Sequence, residues 1–351
     1  MTTRIPAAEE LTAENVRITR GRRSGQPVMI GVHSTRLGPA LGGCRVKRYA
    51  RWQDGLDDVL RLSAAMTEKA ALAGLDHGGG KTVVALTGAP FRRDDLLADI
   101  ADAVEDLGGR YVTGPDIGTG PADMTALRRR TRHVLCRPEA DGGSGDSSGP
   151  TALGVLASID AVRENLWPGR DLAGLRFTVI GLGHVGSLVA DELTRRGARV
   201  ASTDLDPRLR RDGWLEPDRA LGTATDVLVP CATGGLLTPQ TVATLDCAAV
   251  VGAANNQLDH DGTADLLHAR GVLWAPDTVV SAGGIISAVA RERRGAGRQE
   301  AEREVRAIGP RLAGILGVAR AEGITPLAAA RSRAMQRISA ESKKNSADGR
   351  S

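Results

Sequence analysis

The sequence predicts an α/β protein of two domains, and three observations carry that prediction. Hydrophobic residues at 41% together with 44 glycines describe a packed, loop-rich chain of strands and helices. A length of 351 residues has room for two domains of ordinary size. The stretch from Asp141 to Pro150, DGGSGDSSGP, has the composition of a linker and separates them. The expected boundaries are 1–145 for the first domain and 146–294 for the second. Helices over about 295–338 are expected to pack back onto the first domain, and the polar tail 339–351 to be disordered.

The first domain opens with a strand over Pro27 to His33, followed by a loop from Leu37 to Gly43. Leu56, Val59, Leu60, Leu62 and Ala65 recur at helical spacing and predict a helix from about Asp54 to Ala73, with Lys69 near its end. Gly78, Gly79 and Gly80 then precede Lys81, and the β-branched run Thr82 to Leu86 reads as a buried strand, so Lys81 is expected at a strand's start. The GGGKT run is not a phosphate-binding P-loop. That motif needs a glycine where this chain has Leu75, and a helix rather than a strand after the lysine. A second helix spans about Asp94 to Leu107 and is stopped by Gly108 and Gly109. The short strand Tyr111 to Thr113 runs into Gly114-Pro115-Asp116-Ile117-Gly118. Asp116 therefore lies in a glycine-flanked loop at a strand end, where α/β proteins tend to place their chemistry.

Beyond the linker, a helix from about Thr151 to Asn165 leads to the strand Leu175 to Ile180 and then to Gly181-Leu182-Gly183-His184-Val185-Gly186. A glycine pattern of this kind is weak by itself. Here a helix follows over Ser187 to Arg196, then a strand over Ala198 to Thr203, then Asp204. In such a unit the glycines admit a pyrophosphate to the helix N-terminus and the acid bonds ribose hydroxyls, so a dinucleotide is expected. Asp204 would repel a 2′-phosphate, which favours NAD over NADP; Arg208, Arg210 and Arg211 stand close by in sequence. Three further strands, Asp226 to Pro230, Ala248 to Gly252 and Val272 to Ala275, end in small polar loops suited to one edge of a nucleotide site. A helix from about Gly284 to Arg294 then begins the return to the first domain.

Composition removes other classes. The formal charge is only +4, and no basic block interleaves with aromatics, so no nucleic-acid partner is expected; Arg128, Arg129 and Arg130 read as the solvated face of a helix. Cys44, Cys136, Cys231 and Cys247 are far apart and form no CxxC pair, and the six histidines are scattered, so neither disulfides nor a metal site is indicated. The chain opens without an apolar run of signal-peptide length, and nothing approaches the roughly 18 apolar residues of a membrane span. A soluble, cytoplasmic protein is expected.

Lysine is rare: five occur, at 47, 69, 81, 343 and 344, and the other 41 of the 46 basic residues are arginine. The chain meets most needs for positive charge with guanidinium, which does not lose its proton near neutral pH, whereas a buried ammonium can. Lys69 and Lys81 are therefore candidates for acid/base chemistry. The alternative is that both are surface charges, against which stands the glycine run before Lys81.

The segments GPALGG, MTEKAALAGLDHGGGKT, YVTGPDIGTGPADM, GGSGDSSGPTALGV, GLGHVG, PCATGG, GAANNQL and APDTVVSAGG, in order from about Pro27 to Ala290, resemble the amino acid dehydrogenases that act on leucine, valine and phenylalanine, with glutamate dehydrogenase more distant. The resemblance implies an N-terminal substrate domain and a Rossmann-type NAD domain separated by a cleft. It implies that an L-amino acid, NAD⁺ and water give the 2-oxo acid, ammonia and NADH, reversibly, in a homo-oligomer. Lys69 matches the lysine that holds the substrate carboxylate, Lys81 the catalytic lysine and Asp116 the acid that relays protons. Asn255 and Asn256 match a pair between substrate and ribose–nicotinamide, with Asn256 favoured for substrate. Thr151, Gly181, Gly183, His184, Val185, Gly186, Asp204, Cys231, Ala232, Thr233, Ala254, Asn255 and Ser281 fall on the cofactor side. Leu41, where glutamate dehydrogenases carry lysine, stands with Gly42, Gly114, Ile285 and Ala288 at the substrate side chain. Gly114 and Ala288 enlarge that pocket and Ile285 fills it, which favours branched-chain substrates, with phenylalanine as the alternative. Two departures are visible: Ser281 replaces an asparagine near the nicotinamide, and the stretch from Asp204 to Asp226 is short. They leave a non-catalytic sensor of NAD or amino acid as a second class of function, against which stand the intact Lys69, Lys81 and Asp116.

Overall fold

The structure, a computed structural model, describes residues 12–348. The chain divides into two compact units, one running through Asp146 and resuming at Ala334, the other spanning Ser147–Arg333. The first unit holds β1 (Asn15–Arg20), β2 (Pro27–Ser34), β3 (Ala40–Arg48), α1 (Trp52–Leu72), β4 (Gly78–Leu86), α2 (Arg93–Glu105), β5 (Tyr111–Pro115) and α3 (Pro121–Arg128). Its sheet has the order β1-β2-β4-β3-β5, with β3, β4 and β5 parallel and the β1–β2 pair and the β2–β4 pair antiparallel.

Strand alternation sorts this sheet into two different faces. Val28, Ile30, Val32, Cys44, Val46 and Val84 point to a core closed by Leu96, Ile100 and Val104 of α2 and Met124 and Leu127 of α3. The other face carries Met29, Val83 and Ala85 against Val59 of α1. Lys81, Gly79, Gly31, Leu41, Gly43 and Arg45 share that second face by alternation and register. α1 can lie there because the strands present bare backbone. A Cβ on Gly79 would run into the backbone of Thr67, and one on Gly31 would meet the Val59 carbonyl at 3.3 Å.

The second unit holds α4 (Ser148–Leu166), β6 (Arg176–Ile180), α5 (His184–Arg195), β7 (Arg199–Thr203), β8 (Val227–Pro230), α6 (Pro239–Thr244), β9 (Ala249–Val250), α7 (Gly262–Ala269), β10 (Leu273–Trp274), α8 (Asp277–Val280), α9 (Gly283–Ala288), α10 (Arg298–Arg306) and α11 (Ile308–Glu322). α12 (Pro326–Asp348) is shared between the units. The parallel sheet runs β10-β9-β8-β6-β7. The chain leaves β6 for β7 on one side and returns to β8 on the other, so the topological switch point lies between β6 and β8. No α-helix connects β7 to β8, only two single 3₁₀ turns, Pro207–Leu209 and Ala220–Gly222. Instead Trp214 bridges to Ser202, and Leu215 donates to the Ser202 carbonyl at 2.8 Å, so the short segment lies along the edge of β7.

The structure departs from the sequence expectation in several places. Ala40–Gly43, expected in a loop, open β3, and the glycines Gly78–Gly80 lie inside β4 rather than before it. Glycine-rich strands escape propensity reasoning because they are held by neighbours on both sides. α4 begins at Ser148, inside the expected linker. β1 has no counterpart in the sequence reading and exists by pairing with β2. The return to the first unit also begins later than about 295. α10 and α11 group with the second unit, where Gly154 of α4 and Gly309 of α11 let those helices meet closely, and only residues from Ala334 join the first. The tail expected to be disordered from Ser339 continues α12 to Asp348, in keeping with its Ala, Glu and Lys content; 349–351 lie outside the described residues. Among the described residues no single helix is long and apolar enough to cross a membrane.

Candidate active site

In the first unit Lys81, Gly43 and Asp116 come together where β5 ends beside the middle of β3 and β4. Lys81, buried on β4, places Nζ 2.6 Å from Asp116 Oδ2. Asp116 follows β5 directly, and its loop is tied down. Its N–H donates to Thr119 Oγ1 at 3.0 Å, that hydroxyl donates to the Cys44 carbonyl at 2.7 Å, and Val46 N–H donates to the Ile117 carbonyl at 2.8 Å. Gly118, at φ +82°, turns the loop where a Cβ would strike β3. The seat of the pair is Gly43. A Cβ there would stand 2.8 Å from Asp116 Cβ and 3.3 Å from Lys81 Nζ, so the missing side chain is what admits both groups. Burial pushes the Asp116 carboxyl up, but the charges of Lys81 and Arg45 outweigh it and hold the group below the ordinary carboxylate value.

The second cation was not anticipated by the sequence reading. Arg45 Nε donates to Asp116 Oδ2 at 3.0 Å, and Nη1 donates to Asp58 Oδ2 on α1 at 2.9 Å. Asp58 also accepts from Tyr49 Oη at 2.6 Å and from Arg61 at 2.7 Å. The signal available was the period-2 spacing of Leu41, Gly43 and Arg45; what was missing was the partner 71 residues away.

The remaining expected residues of this unit fall around the pair. Lys69 lies in the last turn of α1, two residues from the Thr67–Gly79 contact that presses the helix onto β4, itself two residues from Lys81. That helix end is capped by Arg337 of α12, which donates to the carbonyls of Ala70 and Ala71 at 3.3 and 3.0 Å and pairs with Asp76 at 2.9 Å. Leu41 is buried between Gly79 and Val112 on neighbouring strands. Gly42 faces the other way: a Cβ would collide with the Gly80 carbonyl, and its own carbonyl accepts from the buried Tyr111 hydroxyl at 3.1 Å. Gly114 pairs with Gly43, and a Cβ on it would meet nothing nearer than 3.9 Å, Cys136 Sγ among those atoms. Cys136 itself holds a left-handed backbone, φ 62°, which an L side chain rarely adopts.

In the second unit the glycine turn after β6 and the start of the loop after β8 meet at the switch point. Gly181, at φ +95°, leaves β6 where a Cβ would stand 2.7 Å from the Ala232 nitrogen, and a Cβ on Gly186 would hit the Gly181 carbonyl and approach Cys231 Cβ at 3.1 Å. Gly183 caps α5, with nothing within 4 Å of its absent Cβ; His184 and Val185 form the first helical residues. The open position at the head of this helix is the kind of cradle that a pyrophosphate fits. Asp204 braces the loop, its Oδ2 accepting from Leu182 N–H at 2.7 Å and its Oδ1 from Asp206 N–H at 2.9 Å, with lone pairs left for hydroxyl donors. The nearby arginines face acids of their own, Arg208 on Asp206, Arg210 on Glu216 and Arg211 on Asp191.

The loops after β8 and β9 complete this half. Thr233 lies in the exposed β8 loop; Ala254 N–H donates to the Pro230 carbonyl at 3.0 Å, and Gly235 N–H donates to the Asn256 carbonyl at 2.7 Å. Asn256 takes the left-handed conformation, φ 54°, with its N–H donating to Asp277 Oδ2 at 2.6 Å. Ser281 Oγ donates to the Asp277 carbonyl at 2.6 Å and lies 3.3 Å from Asn255 Oδ1, so the serine still addresses the asparagine pair. Thr151 of α4 lies beside Gly284, where a Cβ would meet its hydroxyl at 3.1 Å; on α9, Ile285 is partly exposed and Ala288 buried.

The chain is similar to known proteins over most of its length. Residues 13–133 match the family described as Glu/Leu/Phe/Val dehydrogenase, dimerisation domain, and residues 210–305 match Glutamate/Leucine/Phenylalanine/Valine dehydrogenase. The chain is 40% identical to the valine dehydrogenase of Streptomyces virginiae over 93% of this chain and 94% of that one. It is 37% identical to the phenylalanine dehydrogenase of Caldalkalibacillus thermarum over 95% and 93%. The crystal structure of L-tryptophan dehydrogenase from Nostoc punctiforme superposes with a TM-score of 0.82 at 32% identity, covering 95% of this chain and 98% of that one.

Proposed function

The chain belongs to the glutamate/leucine/phenylalanine/valine dehydrogenase family, and from that membership we propose that it oxidatively deaminates apolar L-amino acids, branched-chain ones foremost, with NAD⁺. It is an oxidoreductase acting on CH–NH₂ donors. The reaction takes the L-amino acid, NAD⁺ and water to the 2-oxo acid, ammonium, NADH and a proton. The observation that carries this reading is Lys81 Nζ held 2.6 Å from Asp116 over the bare backbone of Gly43.

The glycine cradle at the head of α5, Asp204, Cys231 to Thr233, Ala254, Asn255 and Ser281 are the residues that would hold the dinucleotide. When bound, its nicotinamide accepts a hydride from the substrate Cα. Lys69 holds the substrate carboxylate as a cation facing an anion. Lys81 takes the proton from the water that attacks the imine, and Asp116, hydrogen-bonded to the same amine, relays it. Leu41 lines the side-chain pocket with apolar surface, where a second carboxylate would be desolvated without a partner. NAD is preferred over NADP because Asp204 would face a 2′-phosphate at close range. The exposed arginine pairs are weak and do not decide the matter.

The aromatic alternative has its own support in Gly114, where even a Cβ would meet nothing nearer than 3.9 Å. A homo-oligomer is expected, to be read by light scattering. The deciding assay gives purified protein NAD⁺ or NADP⁺ with a panel of L-amino acids at alkaline pH and follows reduced-nicotinamide absorbance. Valine, leucine and isoleucine with NAD⁺ should turn over fastest. Binding of NAD⁺ with no turnover of any amino acid would make the protein a sensor instead.

A further inference from the structure

Two cations share one carboxylate oxygen in the first unit, and the deamination chemistry uses only one of them. Lys81 reaches Asp116 Oδ2 at 2.6 Å and Arg45 reaches the same atom at 3.0 Å. Arg45 is nearly enclosed, with its side chain 13% exposed, and its fork is engaged at both ends, since Nη1 holds Asp58 at 2.9 Å. A guanidinium can join two acids rigidly in this way; an ammonium on a flexible stem cannot.

We propose that Arg45, anchored on α1 by Asp58, is a positioning residue that fixes the Asp116 carboxylate against Lys81 and sets the acid limb of the enzyme's pH–rate profile. The inference rests on Lys81 and Asp116 being the reacting pair. The charges that act most strongly on Asp116 are those of Lys81 and Arg45. Asp116 faces Lys81 on β4 and Arg45 on β3, while the Cys44 thiol, on the opposite face of β3, is pushed up to about 12 by burial and so stays neutral. Arg45 faces Asp58 and Asp116, and Asp58 in turn meets Tyr49, whose hydroxyl is pushed up by burial and by its bond to Asp58, and the exposed Arg61. Without Arg45 the Lys81–Asp116 pair loses its neighbouring cation while Asp58 keeps only the Tyr49 hydroxyl and the exposed Arg61, so the pair holds its proton to higher pH. Without the charge of Asp58, the guanidinium serves Asp116 alone and the effect has the opposite sign. A residue with a purely structural role would not give two signs.

The test is the pH dependence of kcat/KM for L-valine, or for the best substrate of the panel, in the full-length enzyme carrying Arg45→Met, Arg45→Lys, Asp58→Asn, Lys81→Arg or Asp116→Asn. Arg45→Met should move the acid limb up by roughly one pH unit, so that kcat/KM falls about tenfold on the acid side and changes little on the alkaline side. Arg45→Lys, which keeps the charge but not the fork, should fall between that variant and wild type, and Asp58→Asn should not move upward. NADH fluorescence checks that each variant is folded. If Arg45→Met does not fold, Arg45→Lys carries the test by the same upward shift at smaller size. An unmoved limb in the folded Arg45 variants, or an upward move in Asp58→Asn as well, overturns the inference. Lys81→Arg and Asp116→Asn separate the two layers: if they lose kcat while the Arg45 limb stays put, only this inference falls, and if they keep kcat, the assignment of the reacting pair falls with it.

Discussion

The Lys81–Asp116 pair of the first unit and the glycine turn at the head of α5 in the second both depend on absent side chains, but for different ends. At Gly43 the missing Cβ makes room for two charges inside a sheet face already covered by α1, and those charges are buried and paired with each other and with Arg45. At Gly183 the missing Cβ leaves open space before a helix start, and the arginines on the loop after β7, such as Arg208 with its side chain 88% exposed, lie in solvent. Buried charges interact strongly and have little freedom to adjust, whereas exposed ones are screened and mobile. Damage to the first half should therefore appear in kcat, and damage to the second in cofactor KM.

The strongest attempt to break this contrast is Lys81→Arg. Arginine keeps the charge but cannot accept a proton, so kcat should fall by roughly 10²–10⁴-fold while NADH binding, read by fluorescence, persists. Retention of most of the kcat would remove the proton-accepting role of Lys81. Next comes Gly43→Ala, which introduces one methyl group 2.8 Å from Asp116 Cβ. A displacement of that kind should cost about 10²-fold in kcat with cofactor KM unchanged; an unaltered kcat would mean that the seat is not needed. Leu41→Lys probes the same face more gently. An ammonium buried there without an anion should lower kcat/KM for valine by about tenfold or more and shift the valine-to-glutamate preference toward glutamate. An unchanged ratio would place the side-chain pocket elsewhere. The smallest effect belongs to the second half. Asp204→Asn keeps an acceptor for the Leu182 N–H but lacks the charge, so KM for NAD⁺ should rise by about tenfold with kcat nearly constant. A drop in kcat instead would show that the cradle, too, governs the chemistry.

The α/β class, the helix beginning near Asp54, the strand–glycine–helix unit around Gly181 and the place of Asp116 just after a short strand were all legible in the sequence. Each is written locally, as a period of apolar residues or a glycine spacing. The tertiary structure alone decided that Gly43 and not Gly42 faces the pair, that Ala40–Gly43 are strand, that Arg45 joins Asp116 to Asp58 and that Arg337 caps the helix carrying Lys69. Those outcomes depend on strand register and on partners far apart in the chain. A shift of one residue in β3 would exchange the faces of Gly42, Gly43 and Arg45 together, and no local propensity distinguishes the two registers; packing of α1 on one face and Tyr111 on the other does.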